Sequence, residues 1–459
     1  MRFPIIALVV LSIALLALAF IIPGTGGDGD SVMHYLFAHH AFEHPANFFN
    51  HWAKPLFTLL ASPFAYFGFT GMKVFNVLVA ITTVIITYKS AKDLGLPHPM
   101  LAAGLLFLIP MYTVWIFSGL TEPLFALGVI AVVFLSIRQR WIAAACLLSF
   151  LPFVRSEGIL LILVYGVYLI IEKKWRLIPL LIVGHAVYGV VGLIQYDTVL
   201  WPFTRIPYVG HGNYGSGDLT HFIVKLLYIT GIPVFVLFWT GFIALIWKFL
   251  SRRYKEPTIS PEVMLIYGFT VTYIVAHSLF WWLGIFHSMG LPRVLIGVAP
   301  LIALIAARGV ELIWRLLPHQ TLRTVWIGMV ILSASIFPFS NNKATPKVEL
   351  WQLDETQRAF HILGDKYRKE DAQYLYSAPY AAIGFDINHF DKNQHRRDWH
   401  SLKFDTVRNT YIIWDWWFSP TESGIDLSTL QRTKQIEDVE RVNRESDGKP
   451  LVVVFKSKD

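Results

Sequence analysis

Apolar stretches about as long as a membrane is thick recur along this sequence from its start to about residue 339, and then stop. A helix needs about 20 consecutive apolar residues to cross the hydrocarbon core of a bilayer. Of the 459 residues, 55% are hydrophobic and only 15% are charged, and the mean hydropathy is +0.51. Ordinary soluble domains carry about a quarter charged residues. The sequence therefore predicts a polytopic α-helical membrane protein.

The predicted spans are the apolar runs that lie between short charged loops. The first run, from Pro4 to Ile22, is long for the apolar part of a signal peptide and no A-x-A-like cleavage site follows it, so we expect a span there. About eleven spans are predicted, near residues 3–22, 72–88, 99–117, 121–137, 141–153, 158–171, 177–200, 222–249, 262–283, 294–307 and 323–339.

The orientation follows from the cations, which concentrate in alternate short loops. They are Lys89, Lys92, Arg138, Arg140, Lys173, Lys174, Arg176, Lys248, Arg252, Arg253, Lys255, Arg308, Arg315 and Arg323. The positive-inside rule places these loops, and with them the N-terminus, in the cytoplasm. The net charge of +8 therefore reflects topology, and we expect no nucleic-acid partner because the cations are not clustered on one exposed face. We expect an integral protein of the bacterial cytoplasmic (inner) membrane, surrounded by membrane lipids.

Two domains are predicted, a transmembrane domain over residues 1–339 with a long first outer loop at 23–71, and a soluble extracytoplasmic domain over residues 340–459. Within the loop, residues 31–60 have apolar and aromatic residues at helical spacing but contain Pro45 and Pro55. We therefore expect two short amphipathic helices on the outer membrane surface.

The C-terminal domain has the alternating pattern of a small α/β fold. Asp354 to Tyr367 is predicted as an amphipathic helix, and Ala372 to Tyr376, Thr410 to Trp414 and Pro450 to Phe455 as strands that pair at least partly in parallel. Residues 381–409 are too irregular to assign. Trp416 and Trp417 follow a strand and are predicted as an exposed aromatic platform for an acceptor, although aromatic residues of strands more often fill a core.

Carboxylates occur where the first span ends. Asp28 and Asp30 lie on a Gly-rich turn, where the backbone can approach a substrate closely and a carboxylate can take a proton from an incoming hydroxyl. The alternative role for Asp30 is to cap the helix that follows it. Asp28 is our first choice for the base and Asp30 the second, with His34 one helical turn beyond.

The same loop is rich in histidine, with His34, His39, His40, His44 and His51. A divalent metal site is geometrically conceivable, but a tight pattern of two histidines and a carboxylate is missing, so we favour no metal and no cofactor. The single cysteine, Cys146, lies in an apolar run and is expected to be a core residue.

Two further acidic turns lie between apolar runs. Glu122, between Thr121 and Pro123, has the local pattern of a helix start. Arg155 and Glu157 occupy a turn between two short spans, where non-helical backbone at membrane depth must be buried or line a polar cavity. Mutual neutralisation of Arg155 and Glu157 is the alternative to a functional role.

Cations on the predicted outer side break the positive-inside pattern. Arg293 follows His287 in a Gly- and Pro-containing loop, and Lys54 and Arg205 lie in other outer segments. A guanidinium matches the geometry of a phosphate, so Arg293 is predicted to hold a lipid phosphate, and Lys54 and Arg205 are functional candidates as outer cations. Each cation has the alternative of an ordinary anchor to lipid headgroups.

Together these motifs resemble the GT-C superfamily of integral membrane glycosyltransferases, and within it the mannosyltransferases that use dolichyl-phosphate mannose. The resemblance covers roughly the first 310 residues, by motif and order. Asp28 or Asp30 resembles the family's catalytic Asp, Thr121-Glu122-Pro123 its Thr-Glu-Pro turn, and Arg155-Ser156-Glu157-Gly158 its Arg-x-Glu-Gly turn. His287 to Arg293 stands where the family has a donor-phosphate loop. A glycine separates the two aspartates, whereas the family often has adjacent acidic residues.

The resemblance implies transfer of a sugar from a polyprenyl-phosphate-linked donor to a glycan, lipid or protein acceptor. It also implies inversion at the anomeric carbon, an Asp base, and a supporting cavity that contains Glu122, Arg155, Glu157 and His34. The main alternative is a membrane transporter or lipid flippase, because intramembrane ion pairs also line transport pathways. A membrane protein whose polar turns only pack helices is a third possibility.

The predicted topology can be tested with single cysteines in a Cys146→Ser background. Ser446→Cys, in the C-terminal domain, should react with a membrane-impermeant maleimide on intact cells, because the span count places it outside. Gln139→Cys, between Arg138 and Arg140, should react only after permeabilisation. The reverse pattern would contradict the predicted orientation.

Overall fold

The transmembrane part of the chain is a bundle of helices, followed by a small domain that contains a β-sheet. The computed structural model describes residues 2–27, 29–207, 210, 214–250, 260–340, 350–396 and 408–458. The predicted fold class is confirmed, because apolar helices occupy the chain up to Ser340 and an α/β domain follows. The division predicted after residue 339 falls at the end of a helix and beside residues 341–349, which lie outside the described part, so that boundary stays a prediction.

The helices of the membrane part follow in chain order. They are α1 (Arg2–Ile21), α2 (Asp30–His39), α3 (Pro55–Ala65), α4 (Phe69–Asp93), α5 (Pro99–Phe107), α6 (Pro110–Trp115), α7 (Glu122–Ile137), α8 (Trp141–Phe150), α9 (Gly158–Ile171), α10 (Val183–Val191), α11 (Leu193–Tyr196), α12 (Trp201–Thr204), α13 (His221–Leu250), α14 (Gly268–Leu283), α15 (Ala299–Leu316) and α16 (Gln320–Ser340). Short 3-10 segments lie at Pro45–Phe49, Leu151–Phe153, Trp175–Ile182 and Pro292–Val298, and a π-helical turn at Glu262–Tyr267 precedes α14.

Among the described residues, four helical segments are both long and apolar enough to cross a membrane. They are Phe69–Asp93, His221–Lys248, Glu262–Leu283 and Pro292–Leu316. Shorter apolar helices of 10–17 residues accompany them, so several predicted spans correspond to helices shorter than a full crossing. The protein is an integral membrane protein.

Two of the predicted spans are wrong as single helices. The run at 99–117 breaks into α5 and α6, and α6 begins at Pro110. The run at 177–200 is a 3-10 segment that contains Pro179, followed by α10 and α11. Proline removes a backbone donor and clashes with the preceding turn, which outweighs the apolar pattern at these positions. Helix α13 is also kinked, at Gly231, where φ is 71°.

The first outer loop contains the two helices expected there, at shifted positions. Helix α2 begins at Asp30, and the second helix, α3, begins at Pro55 rather than before it. Proline is well suited to the first turn of a helix, where its missing N–H has no partner in any case. Lys54, the residue before α3, has a positive φ of 66°.

The C-terminal domain is built on a mixed sheet. Its elements are α17 (Glu355–Tyr367), β1 (Gln373–Tyr376), α18 (Tyr380–Gly384), β2 (His395–Arg396), β3 (Thr410–Asp415), α19 (Phe418–Thr421), α20 (Leu427–Arg432), β4 (Ile436–Asn443) and β5 (Pro450–Ser457). In the described part of the domain the strand order is β2-β1-β3-β5-β4. The expected partial parallel pairing is confirmed, since β1 is parallel to β2 and to β3, whereas β5 is antiparallel to β3 and β4.

Strand β4 and the short strand β2 were missing from the sequence prediction. Strand β4 is largely exposed and carries charged residues, so it lacks the apolar alternation that marks a strand. Helix α17 agrees with the prediction and starts with a capping box, in which the Asp354 carboxylate accepts from the Gln357 backbone N–H at 2.9 Å.

The C-terminal domain packs directly on the chain that leaves α1. The Gly24 backbone N–H donates to the Leu350 carbonyl at 3.0 Å, and the Gln357 side-chain amide donates to the Thr25 hydroxyl at 3.0 Å. Phe390 packs on Phe37 of α2, with ring centroids 4.8 Å apart. These contacts place the sheet domain over the turn that carries the first aspartates.

Helices α13 and α15 pack backbone to backbone through a pair of glycines. A Cβ at Gly241 would lie 2.1 Å from the Ile305 carbonyl oxygen, and one at Gly309 would lie 2.1 Å from the Leu237 carbonyl oxygen. Small residues at such contacts let membrane helices approach closely.

Gly309→Ala should therefore destabilise the protein by about 2 kcal/mol, because the methyl group would overlap backbone that has no freedom to rotate away. Gly328→Ala in α16 is the matched control, since no atom lies within 4 Å of its Cβ position. Unfolding in detergent measures both. Equal stability of the two variants would contradict this account of the α13–α15 contact.

Candidate active site

Several helices of the membrane part begin at the same place, and their first residues are charged. Asp30 opens α2, Glu122 opens α7, and Glu157 directly precedes α9. Lys54 directly precedes α3, and Arg293 lies in the first turn of the 3-10 segment that leads into α15. The free N–H groups and dipoles of helix N-termini favour negative charge, which stabilises the three carboxylates.

Arg155 holds two of these carboxylates. Its Nη1 lies 2.9 Å from Glu122 Oε1, and its Nη2 lies 2.8 Å from Glu157 Oε1. Glu122 is only 2% exposed, and Arg155 and Glu157 are largely buried. Nη1 also donates to the Thr121 hydroxyl at 3.3 Å. The helix starts at α7 and α9, which are far apart in sequence, are therefore clamped by one guanidinium.

Arg293 extends this network to the first outer loop. Its Nη2 forms an ion pair and hydrogen bond with Asp30 Oδ2, and its Nε lies 3.6 Å from Glu122 Oε1. The guanidinium also lies over the ring of Trp115, 5.9 Å from its centroid. Asp30, Glu122, Glu157, Arg155 and Arg293 thus form one continuous set of ion pairs, which we call the charge network.

Two further residues lie beside the charge network, Lys54, which the sequence marks as a candidate by its charge, and His277, which sequence reasoning missed. Lys54 donates from Nζ to the Ser156 hydroxyl at 2.9 Å and is itself buried, so it adds a third cation to the three carboxylates. The sequence marks Lys54 only as an outer-loop cation. His277 of α14 lies 3.6 Å from Glu157 Oε1, and it stands in an apolar helix with no local motif. Only tertiary contacts identify it.

Asp30 is the most accessible carboxylate of the network, with 44% of its side chain exposed. Partial burial would raise the pKa of Asp30, but the charge and hydrogen bond of Arg293 outweigh this and hold the pKa below 3.8. The carboxyl is therefore ionised at neutral pH and can accept a proton. Asp28 lies outside the described residues.

His34 lies one turn after Asp30, as predicted, and is buried in an aromatic environment. Its ring stacks on Trp52 with ring centroids 4.9 Å apart, and it packs edge-to-face with Phe57 with ring centroids 5.5 Å apart. Burial is the main cause that lowers the pKa of His34 to about 3, against the charge of Asp30, which raises it. His34 is therefore an uncharged imidazole that packs among aromatic rings beside Asp30.

The remaining predicted residues lie outside the charge network. Arg205 is exposed and stacks on Tyr196, 5.7 Å from its ring centroid. His287 lies in the loop before Arg293 with a positive φ of 51°. Trp416 is 41% exposed in the C-terminal domain and Trp417 is half-buried; their role as an acceptor platform stays a prediction.

No group of three or more His, Cys, Asp or Glu side chains in the described part of the chain is arranged to hold a metal ion. The histidines of the first loop instead make separate contacts. His39 bonds to the Ala65 carbonyl at 2.8 Å, His40 to Glu43 at 3.3 Å and His51 to the Pro202 carbonyl at 3.1 Å. The expectation of no cofactor stays a prediction.

The helical bundle, the first-loop helices and the terminal sheet domain together have a GT-C-like membrane-protein fold, as the similarity to two solved structures shows. The crystal structure of ArnT from Cupriavidus metallidurans in the apo state has a TM-score of 0.65 to this chain at 11% identity, over 98% of this chain and 97% of that chain. The structure of the same protein bound to undecaprenyl phosphate gives 0.62 at 10% identity, over the same shares. No protein-family model and no curated protein matches the sequence. At this level of identity the likeness establishes the fold.

Glu122→Gln should destabilise the protein by about 3 kcal/mol, because it removes a buried carboxylate that two arginines share. Glu43→Gln is the control, since Glu43 is 60% exposed and its carboxylate contacts His40 at 3.3 Å and the Asn388 amide at 3.0 Å but no arginine in the described part of the chain; its change should stay within about 0.5 kcal/mol. Denaturant unfolding in detergent compares them. Wild-type stability of Glu122→Gln would show that the network does not hold the helices together.

Proposed function

We propose that this protein is a glycosyltransferase that moves a sugar from a polyprenyl-phosphate donor to an acceptor hydroxyl at the outer face of the membrane. The observation that carries the proposal is the Asp30 carboxylate, which is accessible, ionised and fixed by Arg293 at the edge of a buried charge network. The GT-C fold supports it, together with the motifs that resemble mannosyltransferases of that superfamily.

Asp30 is the proposed general base. Its position at the start of α2 keeps the carboxylate ionised, and 44% of the side chain is open to an incoming hydroxyl. Asp28 stands two residues earlier and remains the second candidate for this role, as the sequence allows either residue. The capping alternative for Asp30 loses weight, since Asp30 is the first residue of α2 and not its N-cap, which is Gly29, and its carboxylate bonds to Arg293.

The donor phosphate is proposed to bind beside Arg293, with Lys54 and Arg155 adding positive charge. Converging helix N-termini and guanidinium groups both favour a phosphate. ArnT, whose fold this chain shares, has been crystallised with undecaprenyl phosphate, which supports a lipid of that chemical class as the donor carrier. His287 and Arg205 are proposed to assist from the adjoining loops. These cations provide the charge stabilisation, so we propose no metal cofactor.

In the proposed step the acceptor oxygen attacks the anomeric carbon from the face opposite the phosphate. Its proton passes to the carboxylate as the new C–O bond forms. The bond from the anomeric carbon to the phosphate oxygen breaks, and its electron pair leaves with the phosphate, which Arg293 stabilises. The anomeric configuration inverts. The sugar is proposed to be mannose or a similar hexose, from the sequence motifs alone.

A transporter or flippase is less consistent with this arrangement. The charged side chains lie at the first residues of helices, near one end of the bundle, whereas transporters bind substrate near the membrane midplane between repeats. We propose that this end faces out of the cytoplasm of a bacterial inner membrane, as the loop cations predict. The C-terminal domain would then lie over the site and contact the acceptor through Trp416 or Trp417.

Asp30→Asn should reduce turnover at least about 100-fold, because it keeps the shape of the side chain but accepts no proton. Undecaprenyl phosphate should bind as tightly as before or more tightly, since a negative charge beside Arg293 is lost. The assay follows release of undecaprenyl phosphate by purified protein from a panel of undecaprenyl-phosphate sugars, with membrane glycans as acceptors.

Asp28→Asn and Asp197→Asn complete the series. Asp197 is exposed, has a left-handed backbone that asparagine tolerates, and makes no contact with the charge network, so its variant should keep full activity. Loss of turnover in Asp28→Asn alone would move the base to Asp28. Full activity in both Asp28→Asn and Asp30→Asn would reject the proposed mechanism.

A further inference from the structure

A cavity of about 520 Å³ lies between the C-terminal domain and the turn that precedes Asp30. The Trp416-Trp417-Phe418 turn, Arg444, the start of α17 and Gly29 all line it. Gly29 is bonded to Asp30, so whatever occupies the cavity lies next to the proposed base. The proposed function places the acceptor at Trp416 or Trp417, which line this cavity, but leaves its chemical class open.

The aromatic wall of the cavity is held rigidly. The Asp415 carboxylate accepts hydrogen bonds from the backbone N–H groups of Trp417 at 3.0 Å and Phe418 at 2.6 Å. The backbone N–H of Trp416 donates to the Leu451 carbonyl at 3.0 Å. The Arg444 guanidinium lies over the Trp416 ring, 4.2 Å from its centroid. Trp416 nevertheless remains 41% exposed. A large indole surface is therefore fixed in place and available to a ligand.

The cavity is also lined by two carboxylates and a hydroxyl, of Asp354, Glu355 and Thr356, that can accept further hydrogen bonds. One carboxylate oxygen of Asp354 accepts the capping hydrogen bond of α17, from the Gln357 backbone N–H. One carboxylate oxygen of Glu355 accepts from the backbone N–H of Glu445. Among the described residues the second oxygen of each carboxylate, and the hydroxyl of Thr356, have no hydrogen-bond partner. A cavity lined by both a fixed aromatic face and carboxylate and hydroxyl oxygens suits a ligand that has an apolar face and many O–H donors.

The cavity is also joined to the active site by packing. A Cβ at Gly29 would lie 3.5 Å from the Phe418 ring, so the aromatic turn lies within reach of even a small side chain at the position next to Asp30. Tyr214, from the outer segment before α13, donates to Glu422 of the C-terminal domain at 3.1 Å and fixes the domain from a second side. The distance between the cavity and Asp30 is therefore fixed by several contacts.

We propose that this cavity is the acceptor subsite and that the acceptor is a saccharide, uncharged or carrying an amino group. The inference rests on the proposed transferase function and adds the chemical class of its acceptor. A pyranose ring has an apolar face for Trp416 and hydroxyl groups for Asp354, Glu355 and Thr356. Two carboxylates with free oxygens face one guanidinium, so the cavity disfavours phosphorylated or carboxylated sugars. One hydroxyl of the bound sugar would face Asp30.

The test uses full-length protein in nanodiscs and ligand-observed NMR. The probes are tetrasaccharides of mannose, glucose, galactose and N-acetylglucosamine, with mannose 6-phosphate as an anionic probe and pentalysine as a cationic peptide. Wild-type protein should bind at least one tetrasaccharide and should bind mannose 6-phosphate more weakly than mannose. Trp416→Ala should weaken tetrasaccharide binding at least about tenfold.

Three further variants keep the test independent of folding. Trp351→Ala removes a tryptophan that is 67% exposed in the same part of the chain and does not line the cavity, and it should bind saccharide like wild type. Trp416→Phe should restore part of the affinity, and Glu355→Gln should weaken binding while leaving the aromatic wall unchanged. Undecaprenyl phosphate binding should be unaffected in all four variants.

Binding of no tetrasaccharide by the wild-type protein, equal binding by Trp416→Ala, or binding of pentalysine alone would each overturn the inference. Trp416-dependent saccharide binding in a protein that neither binds undecaprenyl phosphate nor transfers sugar would leave the saccharide site standing and reject the transferase proposal. Transfer activity with wild-type kinetics in Trp416→Ala would instead retain the transferase and reject this acceptor site.

Discussion

The charge network is the constraint on which the rest of the membrane part depends. Charged groups at or near membrane depth are costly unless they are paired, and Arg155 and Arg293 pair with carboxylates at three separate helix starts. Because each carboxylate stands at a helix N-terminus, the helix dipoles and the guanidinium groups stabilise it together. The helices α2, α7 and α9 must therefore begin at one place, and a polar site at one end of an apolar bundle follows from that requirement.

The C-terminal domain adds a second layer to this site. Its contacts reach the chain after α1 through Gly24 and Thr25, and its aromatic turn lines the same cavity as Gly29. The side of the charge network that is open to solvent, at Asp30, therefore lies beside a protein surface with its own chemistry. In the proposed mechanism, the arginine on one side of Asp30 and the aromatic cavity on the other would give donor and acceptor different binding surfaces around one carboxylate.

Capping residues and other signals from near neighbours in the sequence made several of the helix starts predictable. Thr121-Glu122-Pro123 marks a helix start, and α7 does begin at Glu122; Asp354 and Gln357 mark a capping box, which α17 has. The apolar runs at 99–117 and 177–200 were each predicted as one helix because the prediction used apolar composition alone. Pro110 and Pro179 interrupt helix continuity there, and composition does not show that effect. Strand β4 was missed because its pairing with β5, rather than its own residues, makes it a strand.

The sequence by itself determined that the chain enters a membrane repeatedly, where its polar turns fall, and which of those turns carry charged side chains. These properties depend on composition and on neighbours within a few residues. Tertiary structure decided which charges meet. Lys54 and Ser156 are 102 positions apart, and Asp30 and Arg293 are 263 positions apart, so no local pattern links them. His277 joins Glu157 only because α14 packs beside α9. Coulombic pairing acts through space, so it follows the packing of helices and not the order of residues.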